Sequence, residues 1–318
     1  KKGGKYCVVV DGKSDPLYDA IATKMLSPVF SPDSAHVAYV AINGQKMLMV
    51  VDGKKGKEYD LVSAPLFSAD SSRIGYVAKQ GDKLFYIEND QPGPAYDQIS
   101  VSSHSPNSKQ LAYSARKGDK WFMVVNGKEG PRYDGVALAI FSPDSSRIAH
   151  MAVKGNKSLM VIDGKEGPPF KGLGFLEFSP DSKHVTYSAT EGEKKGFMVV
   201  DGKMGSKYDT VLIPQYSPDS QHLAYGAQKG EKWLIVKDGV EGPLYEKITL
   251  PQFSPDSKHL IYMALKKDKK WVMVVDGKEG KAYDGVSIPA YSPDSKHLAY
   301  AALSQGIWMV VVDGKEAA

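Results

Sequence analysis

The sequence predicts an all-β fold: an eight-bladed β-propeller with four antiparallel strands per blade. Three observations predict it. The tetrapeptide Ser-Pro-Asp-Ser, or a near copy, begins at Ser31, Ser68, Ser105, Ser142, Ser179, Ser217, Ser254 and Ser292, at intervals of 37 or 38 residues. A fixed period of that size marks a repeat architecture. Each period holds four β-rich segments, and helical periodicity occurs nowhere. Repeated four-stranded units close radially, which leaves only short, protected edges. A linear β-solenoid has shorter coils and lacks a hairpin Asp-Gly, so it is the weaker reading.

The unit from Ile248 to Ile288 illustrates each element. Pro251-Gln252-Phe253-Ser254 is a short extended segment, the first strand. Ser254-Pro255-Asp256-Ser257 is a turn, because Pro pre-sets the backbone angle and Asp and Ser side chains bond nearby amides. His259-Leu260-Ile261-Tyr262-Met263 reads as a second strand. Lys266 to Lys270 is a polar loop. Trp271-Val272-Met273-Val274-Val275, rich in β-branched residues, is a third strand. Asp276-Gly277 is a strong hairpin signal. Gly280-Lys281-Ala282-Tyr283-Asp284 is a short fourth strand.

No linker or composition shift interrupts the pattern, so residues 1–318 read as one domain, with repeats starting near 25, 62, 99, 136, 173, 211, 248 and 286. The third-strand motif occurs nine times, ending at Asp11, Asp52, Asn89, Asn126, Asp163, Asp201, Asp238, Asp276 and Asp313. The expectation is a ring closed by N- and C-terminal strands that share a blade. Residues 1–24 complete the last blade, whose fourth strand comes from around Pro16–Asp19. One third strand is then surplus, free to lie on an edge, compete for the blade, or exchange with another molecule. Otherwise a monomer is expected.

The turn followed by a short apolar strand resembles the WD-repeat-like, TolB-type propeller family, in which an aromatic residue precedes Ser-Pro-Asp-Gly. The motif stands here as Phe30-Ser31-Pro32-Asp33, Phe141-Ser142-Pro143-Asp144, Phe178-Ser179-Pro180-Asp181, Tyr216-Ser217-Pro218-Asp219, Phe253-Ser254-Pro255-Asp256 and Tyr291-Ser292-Pro293-Asp294. Phe67-Ser68-Ala69-Asp70 and His104-Ser105-Pro106-Asn107 depart from it, and Ser replaces the usual last Gly throughout. The resemblance covers nearly the whole chain. It implies a bacterial, periplasmic or secreted setting, but not a function, because such repeats serve many roles.

Apolar content of 42% and charged content of 25% fit a soluble globular protein. No run approaches the ~18 apolar residues of a membrane helix. The one cysteine, Cys7, sits in an apolar stretch and reads as a small buried hydrophobe. Five histidines (His36, His184, His222, His259, His297) share one repeat position, which holds Arg73, Gln110 or Arg147 elsewhere. A place that accepts all three types is a half-exposed strand start, not a metal ligand. His104 and His150 replace aromatic residues and read as packing variants. No calcium loop, nucleophile elbow or phosphate-binding loop occurs. The chain therefore reads as a non-enzyme without cofactors.

Candidate binding residues fall in two groups. The loops between second and third strands carry 16 basic residues against six acidic ones, but the ends of the fourth strands bring acidic residues to the same face. Lys117, Lys120, Lys232, Lys267 and Lys270, with the loop-exit aromatics Trp121, Trp233 and Trp271, could hold an anionic polymer or a glycan. The residue before the first-strand aromatic varies more, and three consecutive repeats place Glu177, Gln215 and Gln252 there. Strand alternation turns them toward the central channel as a polar pocket. The expected function is a rigid, non-catalytic scaffold that binds a protein or peptide on one face or at the channel mouth. The alternatives are polyanion binding through the basic loops, a hydrolase or lyase with its site in the channel, and an amplified or engineered chain with no specialised ligand.

Overall fold

The computed structural model describes residues 3–23, 28–192 and 195–317. Among these, every regular element is a β-strand, arranged in nine antiparallel sheets. Eight follow the repeat, and the strands pair in chain order, as in Gln98–His104, Leu111–Lys117, Lys120–Val125 and Lys128–Glu129. In five of the eight the first strand is split in two. Those five have Pro28, Pro65, Pro214, Pro251 or Pro289 at the break, and proline has no N–H for the ladder. The other three have no proline there. Their first strands run on through a bulge, as between Gly174 and Glu177.

The strands at the two ends correct the expected shared blade. The sheet containing Leu298–Ser304 and Ile307–Val312 takes its fourth strand, Lys315–Glu316, from its own repeat. The N-terminal segment pairs with itself: Val9–Val10 with Lys13–Ser14, extended by a bridge between Tyr6 and Tyr18. It is a half-repeat of third and fourth strands. The Asp11-Gly12 hairpin accounts for this, since a two-residue turn brings the fourth strand onto the nearest third strand.

The chain folds as two compact units. One comprises Lys1–Gly155 and Val161–Glu166, the other Asn156–Met160 and Gly167–Ala318.

Each turn is built by side chains. Ser31 Oγ donates to Asp33 Oδ1 (2.5 Å) and accepts the His36 N–H (2.9 Å). The fourth residue, Ser34, is left-handed at φ 62°, and its equivalents lie between 59° and 67°. Glycine is the residue that adopts this conformation without cost. The neighbouring repeat explains why serine stands there. The Asp33 N–H donates to Ser71 Oγ (3.1 Å), Asp70 to Ser108 (2.9 Å), Asn107 to Ser145 (3.0 Å), Asp219 to Ser257 (2.9 Å) and Asp256 to Ser295 (2.9 Å). These left-handed serines thus fasten their turns to the ones before.

From Asp52 onward the hairpin aspartates are bidentate. Asp52, at φ 50° before Gly53 at 73°, forms the left-handed two-residue turn that the Asp-Gly signal predicts. Its Oδ1 accepts the Val37 N–H (3.0 Å) and its Oδ2 meets His36 Nδ1 (2.7 Å). The other four histidines at this position pair likewise at 2.7 Å. Where the hairpin residue is Asn89 or Asn126, the second carboxylate oxygen is missing, and Arg73 or Gln110 replaces the histidine. Those two reach the next turn, Arg73 to the Ser108 carbonyl and Gln110 to that of Ser145.

Within each unit, successive sheets meet face to face. The tyrosine ending one fourth strand lies edge-on to the second-strand tyrosine of the next sheet: Tyr18 on Tyr39, Tyr96 on Tyr113, Tyr208 on Tyr225, Tyr245 on Tyr262 and Tyr283 on Tyr300, at 6.1–6.5 Å between centroids. Gly56, Gly93, Gly205 and Gly242 lie beneath second-strand hydroxyls and against a third-strand carbonyl. A Cβ at Gly56 would come within 2.9 Å of the Met49 oxygen. His150 takes a tyrosine's place against Tyr133 (6.4 Å), buried, with neither ring nitrogen hydrogen-bonded. Burial lowers its pKa to about 4.

Two expected outcomes follow from this packing. Ser34 is exposed and its hydroxyl makes no hydrogen bond among the described residues, because the N-terminal half-repeat has no Ser-Pro-Asp turn to offer an N–H. Ser34→Gly should therefore stabilise, by up to about 1 kcal/mol. Ser108→Gly gains the same backbone relief but leaves the Asp70 N–H without its acceptor, so it should be less favourable than Ser34→Gly by about 1–3 kcal/mol. Urea unfolding checks this difference, and equal shifts would refute the explanation. His150 has a folded pKa below its unfolded value of 6.5, so the unfolded chain binds the extra proton. Its neutral form is fully accommodated above about pH 6.5. Stability is lost as pH falls from there toward 4, by about 3 kcal/mol at full effect. His150→Phe should remove that part of the acid sensitivity in denaturation curves at pH 4.5 and 7.5.

Candidate functional site

The first strands of the second unit hold the polar residues expected at the channel. Glu177 lies opposite Thr186 in the strand pair. It is half-buried, with no hydrogen bond or ion pair among the described residues, and burial raises its carboxyl pKa. Beside it, the Tyr216 hydroxyl and Thr186 Oγ1 share a hydrogen bond of 2.5 Å. Burial pushes the Tyr216 hydroxyl up to about 12, and the charge of Glu177 adds to the rise. Gln215 donates its amide to the Pro214 carbonyl (2.9 Å). Gln252 is exposed and lines a cavity of about 250 Å³ with Thr249, Leu250, Met263, Ile288 and Pro289. Neither Glu177 nor Gln215 lines that cavity, and its walls are mainly apolar.

The dominant feature of these strands lies two residues earlier. Phe175, Ile213, Leu250 and Ile288 occupy one repeat position in four consecutive sheets, and all four are exposed. The backbone explains their exposure. Pro214, Pro251 and Pro289 each follow one of them, and the residue before proline is held extended and out of the helical region. The missing N–H breaks the ladder there, so the side chain emerges where the strand is split. In the sheet without proline, the bulge does the same for Phe175, left-handed at φ 41°, a strained state for so bulky a residue. The signal was present in the sequence as a large apolar residue four positions before the turn serine. In the first unit, Ser27, Ala64, Val101 and Leu138 stand at that position.

The basic loops are largely matched by carboxylates. A third strand begins opposite the end of its own fourth strand, so lysine meets aspartate: Lys46 with Asp60, Lys83 with Asp97 and Lys120 with Asp134, each at 2.6 Å, and Lys270 with Asp284 at 2.5 Å. Lys232 pairs with Glu246 in the same way. Lys117 meets Glu129 at 2.5 Å. Lys267 is exposed. The second carboxylate oxygen accepts a loop N–H from the following sheet, as Asp134 does from Gly155 and Asp97 from Gly118, both at 2.7 Å. The Lys120 ammonium and the Gly155 N–H together lower the Asp134 pKa. Trp121 and Trp233 bridge to Tyr133 and Tyr245, Trp271 pairs with Tyr283, and all three are half-buried in these contacts. Among the described residues, no cluster of three or more His, Cys, Asp or Glu side chains could hold a metal ion.

No family model matches the sequence, and no curated protein matches it. Solved structures do. A structure described as the eukaryotic initiation factor is 11% identical with a TM-score of 0.48, and the match covers 96% of this chain and 90% of that one. The Dos1 propeller is 11% identical with a TM-score of 0.39, over 91% and 92% of the two chains. TolB from Acinetobacter baumannii is 15% identical with a TM-score of 0.33, over 80% and 78%.

Proposed function

We propose that the chain is an eight-bladed β-propeller scaffold that binds an apolar peptide or protein segment along the first strands of its second unit. The observation that carries this reading is the line of exposed apolar residues Phe175, Ile213, Leu250 and Ile288, one in each of four consecutive sheets. Large apolar side chains grouped in one exposed place mark interaction surfaces. Strand segments flank three of these residues and a bulged strand holds Phe175, and the cavity between Leu250 and Ile288 has room for a side chain. Gln252 at its wall supplies a hydrogen-bonding group for the backbone of an extended ligand, and Glu177 a negative charge near one end of the line. The role is binding, without a catalytic step. The polyanion reading is weaker, because Lys117, Lys120, Lys232 and Lys270 already face carboxylates.

Selection from a displayed peptide library tests the proposal. Enriched peptides should carry two or more large apolar residues, and Leu250→Asp and Ile288→Asp should each weaken their binding at least tenfold. Lys117→Ala and Lys120→Ala should leave it unchanged. Peptides that are acidic and lose affinity steeply with salt would replace this reading with the polyanion one.

A further inference from the structure

The hydroxyls of the second-strand tyrosines reach a gap between one sheet and the next, and the two units differ in what occupies it. In the first unit a carboxylate of the chain does so. The Tyr39 hydroxyl donates to Asp15 Oδ2 (2.8 Å), and the Tyr76 hydroxyl donates to Asp90 Oδ1 (3.2 Å). The two carboxylates enter from the two sides of the gap. Asp15 holds the fourth-strand position that is Gly56 in the next repeat. Asp90 is the second hairpin residue of its own sheet, where Gly53 stands one repeat earlier. The glycine opposite makes room for each. A Cβ at Gly53 would lie 2.8 Å from Asp15 Oδ1, and one at Gly56 would lie 3.1 Å from Asp90 Oδ1.

In the second unit both positions are glycine. Around Tyr225 they are Gly205 and Gly239, and around Tyr262 they are Gly242 and Gly277. A Cβ at Gly239 or Gly277 would meet nothing within 4 Å. One at Gly205 would meet only the Met198 carbonyl (3.2 Å) and the Tyr225 hydroxyl (3.7 Å). Cavities of about 530 and 350 Å³ open at the two places. Tyr225 is 4% exposed, and its hydroxyl donates to no acceptor among the described residues. The Tyr208 hydroxyl beside it is likewise without a hydrogen-bond partner.

The larger cavity has the lining of an organic-acid site. Met198, Val200, Met204 and Leu223 make much of its wall apolar, and Lys203 lines it without an ion pair among the described residues. The carboxylate in the lining, Asp238, is already engaged by the Leu223 N–H (2.9 Å) and His222 (2.7 Å). Glu241, whose charge reaches Tyr225, is paired with Lys229 (2.9 Å).

We propose that the cavity at Tyr225 binds a small organic acid. The Tyr225 hydroxyl donates to its carboxylate as Tyr39 does to Asp15, Lys203 balances the charge, and the apolar wall takes the hydrocarbon part. Asp15 and Asp90 are the built-in counterparts of that ligand.

Titration calorimetry with octanoate and with 1-octanol tests this on the whole chain at neutral pH. Octanoate should bind at least tenfold more tightly than octanol, because only the carboxylate offers a charged acceptor. Tyr225→Phe should remove that preference, weakening octanoate at least tenfold and octanol little, with melting no lower than wild type. Gly239→Asp places a carboxylate where Asp90 stands at Tyr76, and should block octanoate while leaving the hydroxyl in place. Equal binding of the two probes would overturn the proposal. So would no binding of octanoate at millimolar concentration, or a Tyr225→Phe variant that binds octanoate like wild type.

Discussion

A four-stranded sheet of this chain has two apolar faces and cannot bury either by itself. Everything else in the structure follows from the contact that one sheet makes with the next. Three devices hold that contact, and each spans the junction. A tyrosine closes the outer end, edge-on to a second tyrosine. A fourth-strand carboxylate accepts an N–H from the neighbouring loop while holding a lysine of its own sheet. A left-handed serine accepts an N–H from the preceding turn. Each bond contributes about 1 kcal/mol, less than the apolar area it helps to seal, but each fixes the angle and height at which the faces meet. The sequence is most uniform at these places because a change there alters two sheets at once.

The same contact explains what was legible beforehand. The period, the Asp-Gly hairpins and the four-strand unit could be read because each is local: a turn residue acts within a few positions of itself. The pairing of the terminal strands could not be read. A third strand has the same pattern whichever neighbour it joins, and the short Asp11-Gly12 turn decided the matter. The serine in place of glycine was visible as a departure, but its reason lies one repeat away. The channel residues were sought by strict alternation from the turn aromatic, and this led to Glu177, Gln215 and Gln252. Alternation fails beyond Pro214, Pro251 and Pro289, where the strand is interrupted, and the exposed line Phe175–Ile288 lies just past that point.

Charge is organised by the same geometry. A chain with net charge +4 could gather its lysines into an attractive field. Here most loop lysines stand opposite a carboxylate of their own sheet, so the rim is salted with both signs. Exposed apolar residues stand instead along the first strands, Phe175, Ile213, Leu250 and Ile288 in the second unit and Val29, Phe30 and Leu66 in the first.

The departures Asn89 and Asn126, with Arg73 and Gln110, carry a further consequence. Repeats this alike pose a problem of identity during folding, since any onward face could accept almost any backward face and trap the chain out of order. Arg73 reaches a carbonyl at Ser108, and Gln110 reaches one at Ser145, in two successive junctions of the first unit. No histidine-bearing repeat makes that reach among the described residues, because its ring is held by the hairpin aspartate. These two junctions therefore differ from those of the histidine-bearing repeats, and a junction that differs from its neighbours carries pairing information that a uniform one lacks.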